Sequence, residues 1–301
     1  MNFALKTHGE KDMKTTDSNV LVLLPAYNVS ETIGDILNQL KGYNVLVVDD
    51  GSVDETAKIL SNYEVLTLHH AENMGLSNAI RTGINYAINN GFDSVITIDA
   101  DGQHDPYYIN SFIEMLKTHD LVCGNRFNSL HGIPSSKIAS NTFASALLTH
   151  LFNVYIPDAS CGYKGFRVSH ELVDYIESST DYSIVFDILL YAFQQKMNIG
   201  LVNMEAVYYP SILWSTRIIE LNSLLHAINR SIPFDSICNL IQEKSNESCS
   251  FDVNVCDINF SFYYLSDFRS YLIQADYDSI STFHNKMRNE KNAVKYNNSS
   301  V

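Results

Sequence analysis

The chain is short of positive charge. Its 301 residues carry 20 lysines and arginines against 34 aspartates and glutamates, a formal charge of −14. Nucleic-acid binding draws its affinity from lysine and arginine on phosphates, so DNA and RNA are not expected partners. The same surplus sets most of the surface against an anionic membrane, leaving room only for a peripheral contact through a local patch. Cysteine is scarce too. Cys123, Cys161, Cys238, Cys249 and Cys256 are odd in number and include no Cys-x-x-Cys pair. That argues against a disulfide framework or a structural zinc site and for a reducing cytoplasm. No uninterrupted apolar run reaches the roughly 20 residues that span a bilayer. The longest stretches, Ile212–Ile228 and Phe260–Ile273, are broken by Arg217, Glu220, Asp267 and Arg269. The opening residues, 1–18, have no signal-peptide core and read as a mobile arm. No Gly-x-Gly-x-x-Gly follows the first strand-like run, which disfavours a dinucleotide-dependent dehydrogenase. There is no internal repeat.

What is present, up to about residue 125, is a rhythm of short apolar runs alternating with helical periodicity. "VLVLLP", "NVLVVDDG", "EVLTLH" and "SVITID" read as strands. Leu76, Ala79, Ile80, Gly83, Ile84, Ala87 and Ile88 form one apolar stripe on a helix between the last two, with Asn73 as its expected N-cap and Gly91 as its stop. Strands alternating with helices imply a parallel sheet with right-handed crossovers, an α/β sandwich. Ligands in such sheets sit beyond the carboxyl ends of the strands. The clusters Pro25–Asn28, Asp49–Ser52 and Asp99–Gln103 all fall there, so one crevice is expected to gather them. Later come helices near Lys137–Phe152 and Ser183–Lys196, a strand over Gly200–Tyr209 and an amphipathic helix over Trp214–Ile228, read as covering the sheet. Residues 231–301 show no legible motif, and "NEKNAVKYNNSSV" reads as disordered.

The chemistry concentrates in "VITIDADGQHDP", Val95–Pro106. Asp99 and Asp101 stand two apart at a strand end, where extended geometry points both carboxylates to one face. Carboxylates that close repel, and one takes up a proton unless a cation lies between them. With Gln103 they form a hard-oxygen set suited to Mg2+ or Mn2+ that also binds substrate phosphates. In "VVDDGSVDET", Gly51 permits a tight turn and Ser52 or Asp54 can cap a helix near Glu55. Asp49 and Asp50 point to opposite faces, so one faces the crevice, free to accept from a base or sugar, while the other anchors the turn.

"LLPAYN", "VVDDGSVDET", "NMGLSNAIRTG" and "DADGQH" occur in the order and at the separations of the family 2 glycosyltransferases, and "GNRF" and "DASCGYKGFR" follow where the polyprenyl-phosphate mannosyl- and glucosyltransferase branch carries its own segments. The chain resembles that branch over about residues 19–230. The resemblance implies a GT-A, Rossmann-like α/β/α sandwich with a mostly parallel central sheet, a nucleotide-sugar donor (UDP- or GDP-hexose), a divalent cation and inversion at the anomeric carbon. It implies nucleoside contacts at Pro25, Ala26, Tyr27 and Asp50, a ribose and metal carboxylate at Asp99, and metal ligands at Asp101 and Gln103. Arg126 and Lys137 match basic positions that meet donor or acceptor phosphates. The acceptor expected is a polyprenyl phosphate or a glycan, in cell-envelope polysaccharide or glycoconjugate synthesis at the cytoplasmic face of the membrane. A phosphate acceptor, with a second pKa of about 6, attacks unaided, whereas a hydroxyl needs a base. Asp158 and Asp187 are the candidates, each with a structural alternative as a turn cap or a paired core acid. Val29 and Gly75–Ser77 depart from the family pattern and leave the donor sugar open. Two competing readings are a sugar-nucleotide sensor without turnover and a sugar-phosphate nucleotidyltransferase; the latter would want a glycine-rich basic loop that "LLPAYN" does not provide.

Overall fold

The computed structural model describes residues 19–207 except 181, residues 223, 224, 227, 228 and 230, and residues 250–265 and 270–289. The expected mobile arm, most of Trp214–Ile228 and residues 290–301 lie outside them. Along the chain come β1 (Val20–Ala26), α1 (Ile33–Gln39), β2 (Asn44–Asp49), α2 (Thr56–Leu60), β3 (Leu66–His69), α3 (Leu76–Asn89), β4 (Ser94–Thr97) and α4 (Ile109–Leu116). They are followed by β5 (Leu121–Asn125), α5 (Ser135–Phe152), β6 (Lys164–Arg167), α6 (His170–Ile176), α7 (Ser183–Gln194) and β7 (Ile199–Asn203). Last come β8 (Ser250–Val255), β9 (Ile258–Leu265), β10 (Ser270–Ala275) and α8 (Tyr277–Asn289).

Seven strands form one sheet in the order β3-β2-β1-β4-β6-β5-β7, in which β6 alone runs against its neighbours. Period-two alternation splits its side chains between two cores. Leu21 and Leu23 of β1 pack with α3, α5, α6 and α7, while Val20, Val22, Leu24 and Ala26 pack with α1 and α4 on the other face. The chain leaves β1 through α1 on one side and returns through α3 on the other. The switch point between β1 and β4 therefore opens a crevice at their carboxyl ends.

The stripe of α3 is buried as its spacing implies. Its N-terminus differs from expectation. Gly75 occupies the cap position, and Asn73 Oδ1 accepts only from Gly75 N at 2.9 Å. The acceptor that displaces it comes from another loop: Asp50 takes Met74 N and Gly75 N at 3.0 and 2.7 Å.

The carboxyl-terminal residues, unreadable in the sequence, form a three-stranded antiparallel sheet in the order β10-β9-β8, followed by α8. Val255, Ile258, Phe260 and Phe283 join the core that α5 lines, with the Phe260 ring edge-on to Phe143 at 5.1 Å. Leu224, Ala227 and Ile228, the apolar ones among the described residues at the end of the expected amphipathic helix, join it as well. Among the described residues no helix is long and apolar enough to cross a membrane.

Candidate active site

The loops after β1 and β2 are stitched together. Asn28 N donates to Ser52 Oγ at 2.9 Å and Asn28 Oδ1 accepts from Val53 N at 2.9 Å. Val29 N donates to Thr56 Oγ1 at 2.9 Å, and Ser30 N to Asp54 Oδ2 at 3.1 Å. Asp54 also accepts from Thr56 N; burial, the largest single influence, would raise its pKa, but its hydrogen bonds to Thr56 and Ser30 together outweigh it and draw the carboxyl down to about 2. Thr32 Oγ1 then reaches the loop after β4, donating to Ala100 O at 2.5 Å. The three polar clusters do converge on one crevice. Pro25 is half-buried, Ala26 buried, and the Tyr27 ring exposed at its mouth.

Asp49 and Asp50 divide their work, as adjacent strand residues must, but both work inward. Asp49 accepts from Ser52 N at 3.1 Å and sits 3.0 Å from His69 Nδ1. Asp50 is buried and meets His70 Nδ1 at 2.6 Å besides the two amides before α3. His70 is held in turn by Thr82 Oγ1 at 3.0 Å.

β4 ends at Thr97, two residues before Asp99, so the two acids lie on a turn and not on the extended strand the spacing suggested. Two features cause the break. Gly102 takes φ +83°, a left-handed conformation that glycine adopts without penalty. Asp101 accepts from Gln103 N at 2.9 Å, a local hydrogen bond that competes with the ladder, and from Gln103 Nε2 at 2.7 Å. Asp99, Asp101 and Gln103 are all half-buried on that turn. Burial first, and the neighbouring Asp99 second, push the Asp101 carboxyl above its ordinary value. The repulsion between the two acids adds to the larger effect of burial.

Behind the turn, buried His104 accepts from Asp99 N through Nδ1 at 3.1 Å, and its Nε2 faces Cys161 Sγ at 3.9 Å. Burial, then the charge of Arg126, lowers its pKa to about 3, so the ring is neutral. It feels Asp101 on one side and Arg126, Asp158 and Lys164 on the other. Gly162 presses on the same turn, since a Cβ there would lie 2.9 Å from Asp99 Oδ2.

Arg126 and Asp158 form a two-pronged ion pair, Nε to Oδ2 at 2.8 Å and Nη2 to Oδ1 at 3.0 Å, with Arg126 N also donating to Oδ2 at 3.0 Å. Asp158 is fully buried. Burial alone would raise its pKa, but Arg126 and Lys137 more than offset this and hold the carboxyl below its ordinary value. Lys137, in the first turn of α5, is buried. Asp187 lies on α7, buried, accepting from Ser179 Oγ at 2.7 Å and Ser183 Oγ at 2.9 Å and paired with Arg230.

Sequence reasoning passed over Lys164. It is buried on β6 with Nζ donating to the carbonyls of Ala159 and Cys161, beside the Arg126–Asp158 pair. A lysine flanked by Tyr163, Gly165 and Phe166 in a strand covered on both faces was the available signal. His104, next to the acidic turn in sequence, is buried behind it.

The crevice thus offers oxygen ligands on one rim and, beyond it, the buried Asp158 carboxylate with Arg126 and Lys137 acting on it. An α/β sandwich with that layout is the GT-A architecture, and solved structures bear this out. The chain superposes on Mycobacterium tuberculosis glucosyl-3-phosphoglycerate synthase in complex with UDP at a TM-score of 0.55 and 21% identity, covering 72% of this chain and 82% of that one. The family model described as glycosyl transferase family 2 matches residues 21–172, and the chain belongs to that family. It is 28% identical over 218 residues to the UDP-N-acetylglucosamine–dolichyl-phosphate N-acetylglucosaminyltransferase of Methanococcus voltae, covering 64% of this chain and 87% of the relative. It is 28% identical over 165 residues to the undecaprenyl-phosphate mannosyltransferase of Micrococcus luteus, covering 49% and 66%. The chain is therefore a family 2 glycosyltransferase, similar in sequence to transferases of the polyprenyl-phosphate branch.

Proposed function

We propose that the protein moves a hexose from UDP or GDP to a polyprenyl phosphate, inverting the anomeric carbon with the help of a divalent cation, in the synthesis of cell-envelope polysaccharide or glycoconjugates. The observation that carries the reading is the acidic turn. Asp101 is half-buried, raised in pKa by burial and by Asp99, and left with a repulsion that a bound cation would relieve.

The residues fit Mg2+ or Mn2+. Asp99, Asp101 and Gln103 present hard oxygens, and Asp99 keeps a partly exposed side chain. Among the described residues no group of three or more histidine, cysteine or acidic side chains gathers as a complete cage, so phosphate oxygens and water would complete the ligation. When bound, such an ion supplies Lewis-acid neutralisation of a departing diphosphate. The chain's own residues do the rest. Tyr27 offers a ring at the mouth of the crevice for the base, with Pro25 and Ala26 as its floor. Asp50, spent on His70 and two backbone amides, shapes that floor and holds the segment leading into α3. Arg126 and Lys137 direct positive charge at phosphate, with Asp158 fixing the guanidinium's orientation.

The state of the candidate bases favours a phosphate acceptor. Asp158 is clamped by Arg126 and held below its ordinary pKa, and Asp187 is tied to Arg230 and two hydroxyls. Neither is poised to take a proton from an acceptor hydroxyl. A phosphate monoester, already ionised with a second pKa of about 6, needs only to be held in line. The deciding experiment is a screen of UDP- and GDP-hexoses against short polyprenyl phosphates, with and without Mn2+. Metal-dependent transfer with inverted configuration is expected. Turnover that survives complete chelation would remove the cation, and transfer to sugar hydroxyls alone would remove the acceptor.

A further inference from the structure

We propose that α8, outside the residues matched by the family model, belongs to the scaffold of the transfer site, with Arg288 as a positioning residue for Arg126 and His284 as one for the segment that carries Asp158. Arg126 opens a single 3-10 turn, Arg126–Asn128. That turn is gripped at both backbone ends of Phe127. Phe127 N donates to Asn125 Oδ1 at 3.1 Å, and Phe127 O accepts from Arg288 Nη2 at 2.6 Å. The Phe127 side chain is wholly buried in a small core of its own with Ile133, Ile138 and Ile280 of α8. Arg288 also stands within hydrogen-bonding influence of the Tyr155 hydroxyl.

The second grip is on the other half of the ion pair. His284 is buried, with Nδ1 2.7 Å from Tyr155 Oη and Nε2 3.1 Å from Thr142 Oγ1. A neutral imidazole has one donor and one acceptor nitrogen, and both are used. Tyr155 leads into Pro157-Asp158. Asn141, beside Thr142, donates to Pro157 O at 2.8 Å and accepts from Ser160 N at 3.1 Å, bracketing Asp158 on both sides. A shift of α8 therefore moves the guanidinium and its carboxylate together. In family 2 chains without such a helix, other elements must do this holding.

The inference rests on the reading of Arg126 as a phosphate contact, so its test needs a readout that does not require turnover. Four proteins are compared: wild type, Arg288→Met, Arg288→Lys and the packing control Leu40→Ala, at the end of α1 in the core on the other face of the sheet. Amide hydrogen exchange is followed over residues 125–128 and 156–160, with α3 as internal reference, alongside melting temperature, kcat and the donor KM. In Arg288→Met, exchange over 125–128 should rise about tenfold with α3 unchanged and the melting temperature little moved. Its kcat should fall at least fivefold at near-constant donor KM, and Arg288→Lys should recover part of both effects. Leu40→Ala should lower the melting temperature while leaving kcat near wild type at temperatures well below it. Unchanged exchange in Arg288→Met overturns the inference, and so does a kcat within twofold of wild type, or losses that merely track melting temperature. If the wild type transfers no sugar, the functional reading fails separately, and exchange over 125–128 still decides whether α8 holds the turn.

Discussion

A hydrogen atom at Gly162 is what gives Asp99 its place, because a methyl group there would press 2.9 Å from one carboxylate oxygen and 3.0 Å from the other. Gly162→Ala should cost little stability, because the atoms it crowds are the end of a partly exposed side chain that can turn away. The displaced carboxylate should slow transfer more than that stability loss explains, by about a hundredfold. Steady-state rates and urea melts on the same protein check this, and a fully active Gly162→Ala variant would show that Asp99's position is immaterial. Asp101→Asn should behave oppositely in stability. It removes a half-buried charge that repels its neighbour, so the melting temperature should hold or rise, while transfer falls about a hundredfold or more with the lost charge stabilisation. The acids themselves were legible, since paired carboxylates after an apolar run have few other reasons to occur. Their geometry was not. Period-two reasoning assumed that the strand continued, whereas the Asp101–Gln103 hydrogen bond ends it early. The role of Gly162 is set by Asp99, about sixty residues away, which no local pattern reports.

Among the elements, those with strong periodicity were readable and those defined by long-range partners were not. α3 could be placed from its stripe, and β1 from its run of apolar residues. The antiparallel insertion of β6 between β4 and β5 left no trace in "YKGFR", because strand direction is decided by pairing and not by composition. β9 did carry a signal: Ile258 and Phe260 alternate with exposed Asn259. The same scale governs the Arg126–Asp158 pair, which joins the end of β5 to the segment before β6. Asp158→Asn would leave a buried guanidinium without its charge partner, a loss of about 3–5 kcal/mol. Replacing both residues by apolar ones of similar size should recover much of that stability but none of the activity. Thermal unfolding of the single and double variants checks this, and a single variant as stable as wild type would mean that the pair is solvated.

At the scale of the whole molecule, the carboxyl-terminal sheet and α8 seal the face of α5 away from water, and the acid response of the protein should report that seal. His284 faces Arg288 on its own helix, Tyr155 and Asp158 from the segment before β6, and Thr142 from α5. Burial first, then Arg288, lowers its pKa from 6.5 to about 4, with Asp158 pulling weakly the other way. The folded protein thus holds this ring neutral where the unfolded chain would bind a proton. Its stabilising contribution is complete above pH 6.5, declines as the pH falls toward 4, and changes no further below that. The slope within the window approaches ~1.4 kcal/mol per pH unit. His104 contributes with the same sign, so His284→Gln, which keeps one donor and one acceptor, should remove only one share of the acid sensitivity. Urea melts at pH 7 and pH 4.5 should show wild type losing about 2 kcal/mol more than the variant over that interval. Superimposable pH profiles would mean that water reaches His284, and that α8 lies on the surface and not in the core.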